Sequence, residues 1–317
     1  MRLCHDGIFK GSDGSDLSAF QVVLTRYNME FGPRKTAKRW ASPKRQRWLE
    51  NRLDHFTTFC LPSLVNQTKH PDLWLLGFDG ESPEAVQPVL DAVKDYPWIV
   101  PVWQQGVAGV YEDKVLAFTR EILARLPLDR THLITSRVDN DDAINRHFLE
   151  FIRAYSCAVV ANKCLEDFWL AFPFGAFYSG TRCISYVYPN NPFCSRVQAV
   201  SILADDSRTV FEFQHARLFL NGCKVFLPLT EDPMWIRNYH GENLAVARIA
   251  TRRRFSPTSS RAVLRECGVE LARERKPADH WARSWESSAD GRRSRRHWAK
   301  RLLYSTGLMK PKLGTET

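Results

Sequence analysis

The sequence predicts an α/β protein with a mostly parallel central sheet, helices on both faces and a basic helical C-terminal tail. Apolar runs of strand character alternate with segments of helical period through the first half of the chain. One of those strands runs straight into a knot of acids, LITSRVDNDDAI (133–144). The positive charge gathers at the C-terminal end. Strand and helix in strict alternation imply parallel strands joined by right-handed crossovers.

Each element follows from its own pattern. FQVVLTR (20–26) is a short buried strand rich in β-branched residues. Residues 44–61 set Trp48, Leu49, Leu53, Phe56 and Phe59 at helical spacing, with Pro62 as the stop. LWLLGF (73–78) is the second strand and Asp79-Gly80 its turn. SPEAVQPVLDAVKD (82–95) is a helix with a Ser-Pro start, shortened or kinked by Pro88. WIVPVW (98–103) is the third strand and YEDKVLAFTREILARL (111–126) the following helix. The fourth strand ends in the acids, and Ala143-Ile144 are expected to open the next helix. Asp142 would then face away from its neighbours or sit at that helix start, where its charge suits the dipole.

Composition narrows the function classes. The 317 residues are 44% hydrophobic and 12% aromatic, enough for a substantial core. No run approaches the roughly 18 apolar residues of a membrane-spanning helix, and MRLCHDGIFKGSDGSD holds no apolar signal core. The eight cysteines form no CxxC pair, which points to reduced thiols in a cytoplasmic protein. Of the net charge of +10, residues 251–317 carry all: 17 Lys and Arg stand against 7 Asp and Glu, leaving 28 of each sign elsewhere. That split disfavours a uniformly basic nucleic-acid-binding domain.

Ligands of open α/β sheets bind beyond the carboxyl ends of the strands. Those ends carry Thr25-Arg26, Asp79 and Asp139-Asn140-Asp141. Alternate residues of an extended chain share a face, so Asp139 and Asp141 can present both carboxylates to one hard cation, Mg²⁺ or Mn²⁺, shared with substrate phosphates. The competing explanation is a solvated Asp-rich turn or a helix cap.

These stretches, with VVLTRYNM (22–29), CLPSLVNQT (60–68), WLLGFD (74–79), SRVDNDDAI (136–144) and MWIRNYHGENL (234–244), resemble the rhamnosyltransferase family of bacterial GT-A glycosyltransferases over residues 20–250. The resemblance implies a GT-A fold and a nucleoside diphosphate sugar donor. It implies that Asp139 and Asp141 hold the metal and the nucleotide ribose. It sets Arg26 and Asp79, with Thr25 beside them, where such enzymes contact base and ribose, while Lys114 or Arg137 reaches a phosphate. For each of these basic residues a surface ion pair is the alternative. His240 is the candidate to complete the metal site, against a structural histidine, with Gly241 and Asn243 beside it. His215 is a second candidate, set on an ordinary helix capped by Gly222. An inverting transferase needs a carboxylate base. Relatives supply it as a Glu-Asp pair where this chain reads TVFEFQH, so Glu212 is the candidate, with Asp205-Asp206, Glu231-Asp232 and Glu166-Asp167 as rivals.

The domain scheme is an N-terminal extension (1–19), a nucleotide-sugar half (20–155), an acceptor half (156–250) and the tail (251–317). The aromatics of FWLAFPFGAFYSG and YVYPNNPF would line a cleft for a saccharide or lipid-linked acceptor, or else form the core of a β-rich extension. In the tail, residues 259–275 read as an amphipathic helix, and RRSRRHWAKRLLY as a segment able to meet the anionic inner membrane. The expected activity is sugar transfer in surface polysaccharide synthesis. Two alternatives remain: a non-catalytic nucleotide- or carbohydrate-binding module of the same fold, and nucleic-acid binding through the tail.

Overall fold

The computed structural model describes residues 17–29, 43–80, 84–104, 111–180, 183–240, 256–258 and 260–271. It is a mixed α/β structure, and strands β1 (Ala19–Arg26), β2 (Leu73–Asp79), β3 (Ile99–Gln104) and β4 (His132–Arg137) pair parallel in the order β4-β1-β2-β3. Beyond β4 the sheet continues through β9 (Cys194–Ala199), β6 (Asp167–Ala171) and β10 (Val225–Phe226), with β9 antiparallel to both its neighbours. Residues from both sides of position 155 therefore share one sheet.

Both faces of this sheet are covered, which explains why its strands read as continuous apolar runs. On β1, Ala19 and Val23 pack into one cluster and Phe20, Val22 and Leu24 into the other, as the two-residue period of a strand requires. The first cluster takes in Leu49 of α1 (Pro43–His55), Val89 and Val93 of α3 (Gln87–Val93), and Phe148, Leu149 and Ile152 of α5 (Phe148–Lys163). The second takes in Val115, Phe118 and Ile122 of α4 (Tyr111–Arg125).

Several expectations are corrected here. The helix over 44–61 does not stop at Pro62; α1 passes through a π turn at Phe56–Cys60 into α2 (Leu61–Val65). Leu61 N–H donates to the Phe56 carbonyl, and Pro62, having no N–H, sits in the first turn of α2. Pro88 stands in the first turn of α3, which starts only at Gln87, so the helix is shortened, as expected, and not kinked. Ala143-Ile144 open no helix: they form β5, fully buried and paired antiparallel with β11 (Trp235–Asn238). α5 begins only at Phe148, after Asn145 caps the turn by accepting from the His147 N–H at 3.0 Å. His215 lies in a 3-10 turn, His215–Arg217, although Gly222 does take the left-handed φ of +71° expected of a cap.

β5 belongs to a second sheet, β12-β8-β7-β11-β5, whose other members are β7 (Phe174–Tyr178), β8 (Cys183–Val187) and β12 (Ser256–Thr258). Of the aromatics read as either an acceptor cleft or the core of a β-rich extension, Phe168, Trp169, Phe172, Phe177, Tyr178 and Phe193 are buried, as the core reading requires. The start of the tail is also part of the body. Val263 and Leu264 of α6 (Ser260–Glu266), with Cys267 and Val269, pack against Phe59, Ala143 and Tyr178. That apolar face is therefore spent on the protein. RRSRRHWAKRLLY lies outside the described residues. Among the described residues every cysteine is free, and no helix is long and apolar enough to cross a membrane.

One glycine is demanded by this arrangement. A Cβ at Gly175 on β7 would overlap the indole of Trp235, which stacks on Phe193 at 5.2 Å and donates to the Phe172 carbonyl at 2.9 Å. Gly175→Ala is expected to destabilise the protein by about 3 kcal/mol, the upper range for overpacking. A urea midpoint within error of wild type would show that Trp235 repacks freely.

Candidate functional site

Parallel pairing brings Arg26, Asp79 and Arg137 to one rim, and the acid loop follows directly from β4. The register of β5 and β11 then does the long-range work. Trp235 pairs with Ile144 and Ile236 with Ala143, so the chain leaving β11 runs back along the acids. The Asn238 N–H donates to Asp142 Oδ1 at 2.9 Å, and the Tyr239 N–H to the Tyr178 carbonyl at 2.6 Å. The next residue is His240, whose Nε2 lies 2.8 Å from Asp141 Oδ2. The approach of His240 to Asp141 across 99 positions, expected above, is present.

Each acid has its own environment. Burial alone would raise Asp141, but the His240 hydrogen bond and the Arg52 guanidinium outweigh it and hold the carboxyl below the usual range. Burial also acts on Asp139, and there Arg137 at 3.1 Å and Arg26 at 3.6 Å prevail and hold it far below that range. Both guanidiniums lie over the Phe211 ring, at 5.4 Å for Arg26 and 5.6 Å for Arg137. Asp142 goes the other way: burial, then the neighbouring Asp141, push it well above the usual range, toward its neutral form. It is buried against the Asn238 N–H and starts no helix, because β5 stands where the helix was expected. Asn140 ties the loop down, donating to the Tyr27 carbonyl at 2.6 Å and accepting from Arg52 Nη1 at 3.2 Å.

The other candidates are placed as follows. Thr25 is fully buried and accepts from the Trp74 indole at 2.9 Å, so its hydroxyl is engaged in the core. Asp79 is buried at the end of β2, where its N–H donates to Asn28 Oδ1 at 2.9 Å. Lys114 lies within α4, and its side chain lies outside the described residues. Glu212 follows the 3-10 turn Thr209–Phe211, next to the Phe211 that lies under Arg26 and Arg137, and its carboxylate is 3.7 Å from Arg196. Arg196 in turn forks onto Asp167 at 2.9 and 2.6 Å. His215 lies in the field of Arg137 and Asp139; burial, then Arg137, push it down to about 3, so it stays neutral.

Two residues escaped the sequence reading. Arg52 and His55 share a face of α1, one turn apart. Arg52 binds Asp141 and Asn140 and lies against the Trp48 ring at 5.1 Å. The His55 ring stacks on His240 at 4.0 Å, and its Nδ1 lies 3.1 Å from Asn238 Nδ2. The only signal was a pair of polar residues inside a helix read for its apolar stripe.

Asp141 Oδ2 and His240 Nε2 are separated by 2.8 Å, close to the edge of an octahedron with ligand bonds of about 2.1 Å. The pair thus fits neighbouring positions on one hard cation. Among the described residues no group of three or more His, Cys, Asp and Glu gathers as a metal-binding set, and Asp139 is turned to its arginines. Most positions on such an ion would fall to ligand and water oxygens.

Arg52 and Asp141 are both more than nine-tenths buried, so removing one strands the other. Arg52→Met is expected to lower stability by about 3 kcal/mol at pH 7 in urea titrations. A depressed carboxyl contributes its stability above about pH 4, and loses it as pH falls through the lowered value. The difference from wild type should therefore shrink in acid; a loss below about 0.5 kcal/mol at pH 7 would show the pair to be screened like a surface one.

No curated relative matches the sequence. Among solved structures, the chain is similar to a protein described as a "putative nucleotide-diphospho-sugar transferase" from Desulfovibrio desulfuricans G20. Identity is 11% over 85% of this chain and 98% of that one, with a TM-score of 0.35, too low to carry a statement about this chain. Residues 24–252, from within β1 to past His240, match the family described as "Putative rhamnosyl transferase", and the chain belongs to that family.

Proposed function

We propose that the protein is a metal-dependent glycosyltransferase that moves a sugar, rhamnose in the first instance, from a nucleoside diphosphate sugar to a hydroxyl of a saccharide or lipid-linked acceptor. Family membership supports glycosyl transfer. The observation that carries the finer reading is the contact of Asp141 with His240 at the carboxyl rim of the parallel strands. In this reading Asp141 and His240 hold Mn²⁺ or Mg²⁺, which supplies positive charge to the leaving nucleoside diphosphate. Arg52 and Asn140 fix the Asp141 loop, and His55 fixes the plane of the His240 ring. Arg26 and Arg137, steadied by Asp139 and Phe211, face the donor phosphates. Glu212 pairs with Arg196 at 3.7 Å, and no residue is assigned as the acceptor base. The proposed setting is the cytoplasmic side of a membrane where surface polysaccharide is built.

Asp141→Asn keeps the shape while removing the charge and one acceptor oxygen. It is expected to cut turnover of the best nucleotide sugar by about a hundredfold or more, and to abolish Mn²⁺ binding followed by calorimetry in the presence of a nucleoside diphosphate. His240→Ala should hurt Mn²⁺-supported turnover more than Mg²⁺-supported turnover, because imidazole suits the softer ion. Wild-type turnover by Asp141→Asn, or full activity in EDTA, would overturn the metal assignment.

A further inference from the structure

The three acids of the loop draw arginines from several elements around them. Arg26 and Arg137 converge on Asp139, and Arg52 sits on Asp141. A further arginine, Arg237, comes from β11, between Ile236 and the Asn238 whose N–H binds Asp142. Its charge acts on Asp139, Asp142 and His215, which places it in the same rim. Arg237 is half-buried, and among the described residues its side chain makes no hydrogen bond or ion pair. The facing groups are accounted for: Asp139 is already held by Arg26 and Arg137, Asp141 by Arg52 and His240, and Asp142 is driven toward its neutral form. An arginine in that position, surrounded by carboxylates already satisfied, has its donors available for an anion from outside.

We infer that Arg237, with Arg26 and Arg137 behind it, binds the diphosphate of the nucleotide donor directly, so that nucleoside diphosphate binding survives removal of divalent metal. This rests on the donor-site reading above and adds a division of labour to it. The arginines provide affinity for the phosphates, and the ion at Asp141 and His240 serves the transfer step. A nucleoside diphosphate sugar carries a charge on each phosphate, and guanidiniums can meet those charges without an ion between. The planar guanidinium can take two phosphate oxygens at once, which an ammonium cannot.

The test is calorimetric titration of the full chain with UDP, GDP and dTDP, each in EDTA and in Mn²⁺. At least one nucleoside diphosphate is expected to bind in EDTA within about tenfold of its affinity in Mn²⁺. Arg237→Gln should weaken that EDTA binding by about tenfold or more, as expected for loss of a hydrogen bond between charged groups. Arg237→Lys should recover part of it, with thermal midpoints of both variants at the wild-type value. Wild-type binding seen in Mn²⁺ but lost in EDTA would overturn the inference and leave the donor-site reading standing, as would unchanged binding by Arg237→Gln. No binding of any of the three under either condition would bring down the donor-site reading and the inference with it.

Discussion

Everything at this rim follows from three carboxylates, Asp139, Asp141 and Asp142, packed into four successive positions at a strand end. Side by side in a partly buried loop, such charges repel strongly enough to unfold it unless cations or protons intervene. The chain answers with its own groups. Arg26 from β1 and Arg137 from β4 attend to Asp139, Arg52 from α1 and His240 from beyond β11 attend to Asp141, and Asp142 moves toward neutrality beside an Asn238 N–H. The loop is thereby the point where the first strand, the first helix, the fourth strand and the second sheet are tied together.

That tie explains features that otherwise look unrelated. β5 is only two residues long, yet without its pairing to β11 the chain would not return His240 to Asp141. β11 in turn lies beside β7 because Gly175 leaves room for the Trp235 indole, which Phe193 covers. α6 closes over the back of β5 through Val263 and Leu264, so residues counted with a charged tail support the same loop.

The parallel strands were legible because two buried faces leave continuous apolar runs, and all four ended within a residue or so of their expected bounds. The acids were legible because their crowding conflicts with local stability, and His240 because it stood between Tyr239 and a glycine in a family pattern. What failed were readings that needed tertiary partners. Ala143-Ile144 look like a helix start until β11 pairs with them. Arg52 and His55 were invisible for the opposite reason: a helix read for its apolar stripe says nothing about what its polar face meets.

The arginine on Asp141 also constrains how a metal would act there. An ion added to Asp141 must share the carboxylate with the Arg52 guanidinium, and two cations at that range repel in a poorly solvated loop. Asn140 and the Trp48 ring hold Arg52 in place, so it cannot simply swing away. The protein alone should therefore be a poor metal binder, and a diphosphate arriving between the arginines would supply the negative charge that makes the ion welcome. By reciprocity the ion would tighten the diphosphate by the same factor, about tenfold at most where the arginines already hold the phosphates. A rim that repelled free metal and admitted it with the donor would neutralise leaving-group charge only when there is a leaving group to neutralise.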